Sequence, residues 1–461
     1  MNQNMDYRFS HERMPKLIVS LAAPAIAAQI INALYNIVDR MYIGQMPGDG
    51  TLALTGVGIT FPIIMMVSAF SALIGFGGAP LSSIKLGEGD REGAERILGF
   101  CFSMLIGCAL VLTVLLLPAQ NYLLPLFGAS PDTMPYASSY LQIYLTGTIS
   151  VQLALGMNQF VSAQGFAKTA MFTVCIGAAL NILLDPILIF GFGLGVRGAA
   201  WATVISQTVS AVWVLSFFFL GRSNLRLRVK NMKFEWKIAC NVLGLGMSPF
   251  IMQSTTSLVQ VAFNSSLAYY GGDLYVGAMV ILNSVMQFAL MPAMGVAQGA
   301  QPIIGYNYGS GDHDRVRSAI RYSTFFCVLF SGVVWTLTVF FPTIPVRMFT
   351  SSPELIGLTA QTMRVFFLGI LIFGFQIAFQ QAFVALGQAK VSIFIAALRK
   401  LILLIPLILF LPKLLPSPVW GVIIAEPVAD TIAAVTCIIL FRLRIRALLH
   451  TGNRPADVSE S

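Results

Sequence analysis

Twelve mostly apolar stretches, each more than 20 residues long, follow one another along this chain with polar connections between them. They run over 17–43, 52–80, 95–118, 137–163, 169–191, 196–220, 238–268, 276–303, 318–341, 360–386, 391–412 and 419–441. About 20 residues of α-helix, rising 1.5 Å each, cross the hydrocarbon of a bilayer. A water-soluble chain would carry roughly a quarter charged residues, whereas this one has 10% charged and 57% hydrophobic. Segments of about ten residues with alternating polarity, the mark of a membrane β-barrel, are absent. The predicted fold class is an all-α polytopic membrane protein with twelve transmembrane helices.

Charge placement sets the expected orientation. With the N-terminus inside, the inner segments hold 21 Lys and Arg and the outer ones hold four, Arg40, Arg197, Arg347 and Lys413. The positive-inside rule then puts both termini in the cytoplasm, with the protein in the inner (cytoplasmic) membrane. The net charge of +9 is thereby explained without nucleic acid, which is not expected as a partner. The basic stretch GRSNLRLRVKNMKFEWK is expected to meet anionic lipid headgroups. The first fifteen residues, MNQNMDYRFSHERMP, are polar, and no small-residue cleavage site follows the first apolar run, so no cleaved signal peptide is expected. Cys101, Cys108, Cys175, Cys240, Cys327 and Cys437 lack metal-ligand spacing and read as small apolar side chains.

The chain is also written twice. LFGASP at 126–131 matches MFTSSP at 348–353, an offset of 222. The same offset aligns LGEGDRE (86–92) with YGSGDHD (308–314), GFAK (165–168) with GQAK (387–390), Pro80 with Pro302 and Gly147 with Gly369. With small gaps, LAAP at 21–24 falls on GMSP at 246–249, and GAAWATVISQ at 198–207 on GVIIAEPVAD at 421–430. Six spans is an even number, so the halves enter from one side and are related by an axis along the membrane normal. The expected organisation is a first lobe over 1–220, a basic linker over 221–237, a second lobe over 238–446 and a tail over 447–461. Two pseudo-symmetric six-helix lobes around a central cleft are the geometry of alternating access. GEGD and GSGD lack the GK[ST] of a phosphate loop, so Asp90 and Asp312 are read as helix caps. No nucleotide-binding domain is visible.

Of the acidic residues, Asp39, Asp185, Glu426 and Asp430 lie well inside spans, where each costs about 2.5–3.5 kcal/mol on the insertion scale. Such groups are retained when paired, protonated or lining water. Asn181 and Asp185 are four apart, on one face of span 5. Gln29, Asn32, Asn36 and Asp39 form a polar stripe on span 1, and Thr203 with Gln207 lie four apart on span 6. Counting from the membrane faces puts all three groups in the outer half of the first lobe. Their carboxylate, amide and hydroxyl oxygens suit a proton or a sodium ion, with sodium expected at Asp39, Asn181 and Asp185. The second lobe has Leu403 and Leu407 at the positions of Asn181 and Asp185, and Asn264 near that of Asp39. It offers instead Arg399 with Glu426 and Asp430. The expectation is an Arg399–Asp430 pair that leaves Glu426 freer for a cationic substrate or proton. Gln253, Ser257, Gln260 and Asn264 on span 7, with Gln376 and Gln380 on span 10, are further candidates to line the cleft.

Taken together these stretches resemble the multidrug and toxic compound extrusion (MATE) transporters over nearly the whole length. The resemblance is carried by AAPAIAAQIINALYNIVDRMYIG, NILLDPILIF, GVRGAAWATVISQ and GAQPIIGYNYGSGDHDRVR. LRK in span 11 and AEPVAD in span 12 look most like the MepA-like branch. The resemblance implies a secondary exporter that exchanges protons or sodium for small organic cations, works as a monomer and needs no cofactor. It also carries Asp39, Asn181, Asp185 and Thr203 onto the family's cation site in the first lobe. Where some relatives carry an acidic residue in span 7, this chain reads FIMQSTTSLVQ. Two other classes fit the residues less well. A flippase for lipid-linked saccharides would need a large basic cavity, yet the span interiors hold at most Arg364, Arg399 and Lys400 as cations, against four buried acids. A membrane enzyme would need clustered catalytic groups, and His11, His313 and His450 are scattered.

Overall fold

A computed structural model of the chain describes residues 3–46, 50–220, 223–233, 235–350 and 352–450. Helices dominate, and no β-strand occurs among the described residues. That follows from the apolar spans, because in lipid each backbone N–H and C=O must find its partner within its own segment.

A short helix α1 (Gln3–His11) leads into α2 (Met14–Gly44), α3 (Gly50–Gly87) and α4 (Arg91–Leu126). Next come α5 (Met134–Thr146), α6 (Thr148–Ala163) and α7 (Ala167–Pro186), which runs on as a π-helical stretch, Ile187–Gly191. The first half ends with α8 (Val196–Phe219). A single 3₁₀ turn, Val229–Asn231, lies in the connection to α9 (Trp236–Gly271). The second half continues through α10 (Asp273–Gly309), α11 (His313–Phe340), the short α12 (Thr343–Arg347), α13 (Pro353–Phe366) and α14 (Ile370–Ala385). It closes with α15 (Ala389–Ala397), a second π-helical stretch (Leu398–Leu404), α16 (Ile405–Leu414) and α17 (Pro418–His450).

Among the described residues, nine helices are long and apolar enough to cross a membrane, and the pair α13–α14, bent by 52°, makes a tenth. The other two predicted spans are present in altered form. Span 4 is divided at Gly147 into α5 and α6. Span 7 is α9, 36 residues long, in which Gln253, Ser254, Thr255, Thr256 and Gln260 dilute the apolar content. The count is compatible with twelve.

The repeat is visible in the details of the backbone. Asp90 caps α4 by accepting from the amide of Gly93 at 2.8 Å, and Asp312 caps α11 by accepting from Arg315 at 3.0 Å. Their φ and ψ angles are −81° and 74° against −81° and 76°. Gly147 and Gly369 each sit at the break of a divided span. A Cβ at Gly147 would lie 2.6 Å from Val204 Cγ2 on α8, and one at Gly369 would lie 3.0 Å from Pro427 Cα and Asp430 Cβ on α17. In both halves the break of the divided span therefore packs tightly against the last helix of its half, and a side chain there would force its neighbours to shift.

The chain divides into two compact units. Ala27–Gly246 forms the body of one, while Arg8–Ile26 and the chain from Met247 onward form the other. All three boundaries, after Tyr7, Ile26 and Gly246, fall inside helices, in α1, α2 and α9. In the first unit the core gathers Ile63, Leu112, Leu141, Tyr144, Val151 and Ile189. In the second it gathers Phe263, Leu282, Met363, Phe366, Phe367 and Val422.

Candidate functional site

Pro186 has no backbone N–H, so it cannot donate to the carbonyl of Ile182 and the α-helical ladder of α7 is interrupted there. The chain responds with the π stretch, in which the amide of Phe192 donates to the carbonyl of Ile187 at 2.9 Å. Such local widening recurs at functional positions. Asp185 stands immediately before Pro186, at the edge of this stretch.

Asn181 and Asp185 are both buried, at 2% and 0% exposure. Asn181 Nδ2 donates to Asp185 Oδ1 at 3.4 Å and to Thr203 Oγ1 on α8 at 3.5 Å. Thr203 donates in turn to the carbonyl of Ala199 at 3.0 Å. From α2, the carboxyl of Asp39 lies beside that of Asp185. The structure thus brings together four of the five residues expected at this site. Gln207, one turn further along α8, is half-buried and is not among their hydrogen-bond partners.

Three oxygens here, Asp39 Oδ1, Asn181 Oδ1 and Asp185 Oδ2, are buried and accept no hydrogen bond among the described residues. Buried polar atoms are nearly always satisfied, so three orphans in one place are an informative exception. No ion pair joins Asp39 or Asp185 to a lysine or arginine among the described residues. Arg40, next to Asp39, is exposed and lies over the ring of Phe61 at 5.1 Å. No three His, Cys, Asp or Glu side chains converge as for a metal ion among the described residues. The site is instead two carboxyls, an amide and a hydroxyl, an oxygen-only set.

Three tyrosines that sequence reasoning did not single out complete the surroundings. Tyr140, on α5, lies beside Thr203, and Tyr144, one turn on, lies beside Ser68 on α3. Their rings stack with centroids 6.4 Å apart. Tyr35 lies one turn before Asp39 on α2. In a sequence, tyrosines near span ends read as interfacial anchors, and only their four-residue spacing toward Asp39 and within α5 could have marked them.

In the second unit, Leu403 and Leu407 pack against the apolar core, and no copy of the first site forms among the described residues. Arg399 lies in the π stretch and is buried at 6% exposure. Its Nε donates to Asp430 Oδ1 at 2.6 Å and its Nη2 to Glu426 Oε1 at 3.0 Å. The guanidinium also stands 4.1 Å from the ring centroid of Phe373. The expected Arg399–Asp430 pair is present, but Glu426 is not left free, because one planar guanidinium spans both carboxylates one turn apart on α17. The neighbouring Lys400 donates to Thr256 Oγ1 at 3.2 Å.

The remaining lining candidates are placed variously. Asn36 donates to the carbonyl of Asn32 at 2.6 Å. Gln29, Gln253 and Asn264 are half-buried, Gln260 and Asn32 are exposed, and the side chain of Ser257 lies outside the described residues. Gln376 and Gln380 do not face open space: both are buried, and Gln380 donates to Ser248 Oγ at 2.9 Å.

The fold and these groups can be set beside known proteins. The MatE family model matches residues 24–187 and 249–410, once in each half. Similar relatives include the multidrug export protein MepA of Staphylococcus haemolyticus (strain JCSC1435), 26% identical over 448 residues and covering 97% of each chain. The protein of the same name from Staphylococcus aureus (strain MRSA252) is 25% identical over 464 residues, covering 98% of this chain and 99% of its own. A crystal structure of MATE in the bent conformation aligns with a TM-score of 0.90 at 23% identity over 98% of both chains. An outward-facing multidrug resistance transporter of the MATE family aligns with a TM-score of 0.88 at 23% identity, over 96% of this chain and 98% of that one. At that identity the solved structures speak for the fold. Matched in both halves by one family model, and nearly end to end by export proteins rather than enzymes, this chain belongs to the MatE family of multidrug and toxic compound extrusion transporters.

Proposed function

We propose that this transporter exchanges an inward-moving proton or sodium ion for an outward-moving lipophilic organic cation, with Asp39 and Asp185 as the coupling site. The observation that carries the reading is a pair of neighbouring carboxyls with three partnerless oxygens around them and, among the described residues, no lysine or arginine in ion-pair contact. Two carboxylates are acceptors only, so their proximity calls for a proton or a cation between them. A site loaded from one side of the membrane and emptied on the other supplies that ion transiently. Loading would favour one arrangement of α2, α7 and α8. By linkage, ion and substrate then oppose each other's binding.

The substrate class follows from charge. Asp39 and Asp185 form no ion pair with a lysine or arginine among the described residues, whereas Arg399 is already engaged by two carboxylates and offers little to an anion such as a pyrophosphate. The relatives' description as multidrug exporters supports a range of lipophilic cargo. The asymmetry of 21 inner against four outer cations supports cytoplasmic termini in the inner membrane, and the protein acts as a monomer.

Purified protein in proteoliposomes tests this directly. Ethidium should be driven by an imposed pH gradient, a sodium gradient or both, and Asp185→Asn should lose gradient-driven movement while inserting normally. Wild-type rates in D185N vesicles under each gradient would end the assignment.

A further inference from the structure

The connection between the halves is a fixed part of the first unit. Ser223 Oγ donates to Gln164 Oε1 at 2.8 Å, and the amides of Asn224 and Leu225 donate to the same oxygen at 2.9 and 3.2 Å. The amide of Arg226 donates to Glu95 Oε1 at 3.1 Å, and Ser103 Oγ donates to the carbonyl of Met232 at 3.2 Å. Along this strap, Leu225 and Leu227 are buried at 0% and 8% exposure, while Arg226 and Arg228 between and after them are exposed. The alternation is that of an extended segment. It turns cations outward on a backbone tied down by hydrogen bonds.

Beside the strap lies a cleft of about 350 Å³ lined by Arg91, Glu92, Glu95, Arg226, Arg228 and Lys230. Four cations meet two carboxylates there, and both carboxylates are already in use. Glu95, 4% exposed, lies 3.2 Å from Arg228 Nε and 3.9 Å from Arg91 Nε. Glu92 lies 3.3 Å from Lys230 Nζ. An excess of two positive charges remains, and the side chain of Arg226 has no ion-pair partner among the described residues. Position adds to charge. The cleft is at the first turn of α4, roughly 9 Å before the helix becomes apolar at Ile97, which is headgroup depth. Val229, between Arg228 and Lys230 in the chain, and Trp236, at the start of α9, are 80% and 70% exposed, so apolar surface follows these cations along the chain.

We propose that this cleft binds the phosphate-bearing headgroup of an anionic phospholipid. Four pre-positioned donors hold the phosphate, and Val229 and Trp236 meet the acyl region beneath it. A free phosphate would use the cations but gain nothing from the apolar flank.

The full-length protein in a non-ionic detergent, titrated with phosphatidylglycerol, phosphatidylcholine or inorganic phosphate, provides the test. Native mass spectrometry counts retained lipid and thermal unfolding reads stabilisation. Phosphatidylglycerol should be retained in preference to phosphatidylcholine, less so as sodium chloride rises, a readout that needs no variant. R226Q/K230Q should weaken phosphatidylglycerol binding roughly thirtyfold, about fivefold for each cation. The control K168Q/K390Q, which removes two exposed lysines elsewhere, should leave it unchanged. Equal retention of the two lipids, equal loss in the control, or competition by millimolar inorganic phosphate would overturn the assignment. Ethidium movement by R226Q/K230Q vesicles keeps this outcome separate from the coupling site.

Discussion

Arg399 is held on three sides, by Asp430, by Glu426 and by the face of Phe373. Removing one member of a buried ion pair strands the other and costs about 3–5 kcal/mol. Arg399→Gln strands two carboxylates and should fall in or above that range. Asp430→Asn should cost more than Glu426→Gln, because Asp430 makes the shorter contact and its Oδ2 already lacks a partner. Thermal unfolding in detergent should order the variants R399Q, D430N, E426Q from least to most stable, and E426Q as the least stable would show the bridge to be misassigned. At this scale the sequence was informative where polar groups repeat on one helical face. Asn181, Asp185 and Thr203 could be grouped because an apolar helix tolerates such groups only together. The double grip on Arg399 could not be read in the same way. Counting depth assumes an even helix, and the π stretch over Leu398–Leu404 changes both the rise and the direction in which Arg399 points. Depth alone could not choose between carboxylates one turn apart.

At the scale of elements, the breaks in spans 4 and 10 are where close packing is least forgiving. Gly369→Ala would press a methyl group against Pro427 and Asp430, whose backbone and buried charge have little room to yield. Overpacking of that kind costs about 1–3 kcal/mol. Gly147→Ala meets the branched end of Val204 instead. The double variant G147A/V204A should recover most of what G147A loses, whereas G369A has no such single partner. A melting series of the three variants checks this, and a G147A loss untouched by V204A would mean that the break, not the contact, is what alanine disturbs. The repeat offset had already paired Gly147 with Gly369, but nothing in either stretch announced that the helix stops there. A glycine inside an apolar span is common, and what each break packs against, the last helix of its half, lies far away in sequence. The reverse holds for Asp90 and Asp312, where the cap is local and the sequence sufficed.

For the whole molecule, similarity along the chain and packing in space divide the residues differently. The offset identifies which residues correspond between halves and is silent on what each segment packs against. In the second unit, a Cβ at Gly299 on α10 would lie 2.7 Å from the amide nitrogen of Ala22, and Gly295 is pressed in the same way against Ile26. In the first unit, Gly246 on α9 approaches the carbonyl of Leu73 so closely that any side chain would overlap it. The beginning of each half's first long helix is thus built into the unit formed mostly by the other half, through glycine contacts that admit no substitute. A fragment of residues 238–461 made alone lacks Arg8–Ile26 and should expose the Gly295–Gly299 face of α10. It should also lose the donation from Arg315 to the carbonyls of Phe9 and Glu12, at 2.8 and 3.0 Å. Exposed backbone and lost charge-assisted bonds of this kind leave a membrane helix bundle prone to association. Expressed alone, the fragment should extract as aggregate, and co-expression with residues 1–237 should restore a single monodisperse species by size-exclusion chromatography. A monodisperse, thermally stable 238–461 fragment on its own would show that the exchanged helix ends are ornaments to two self-sufficient units rather than part of what folds them.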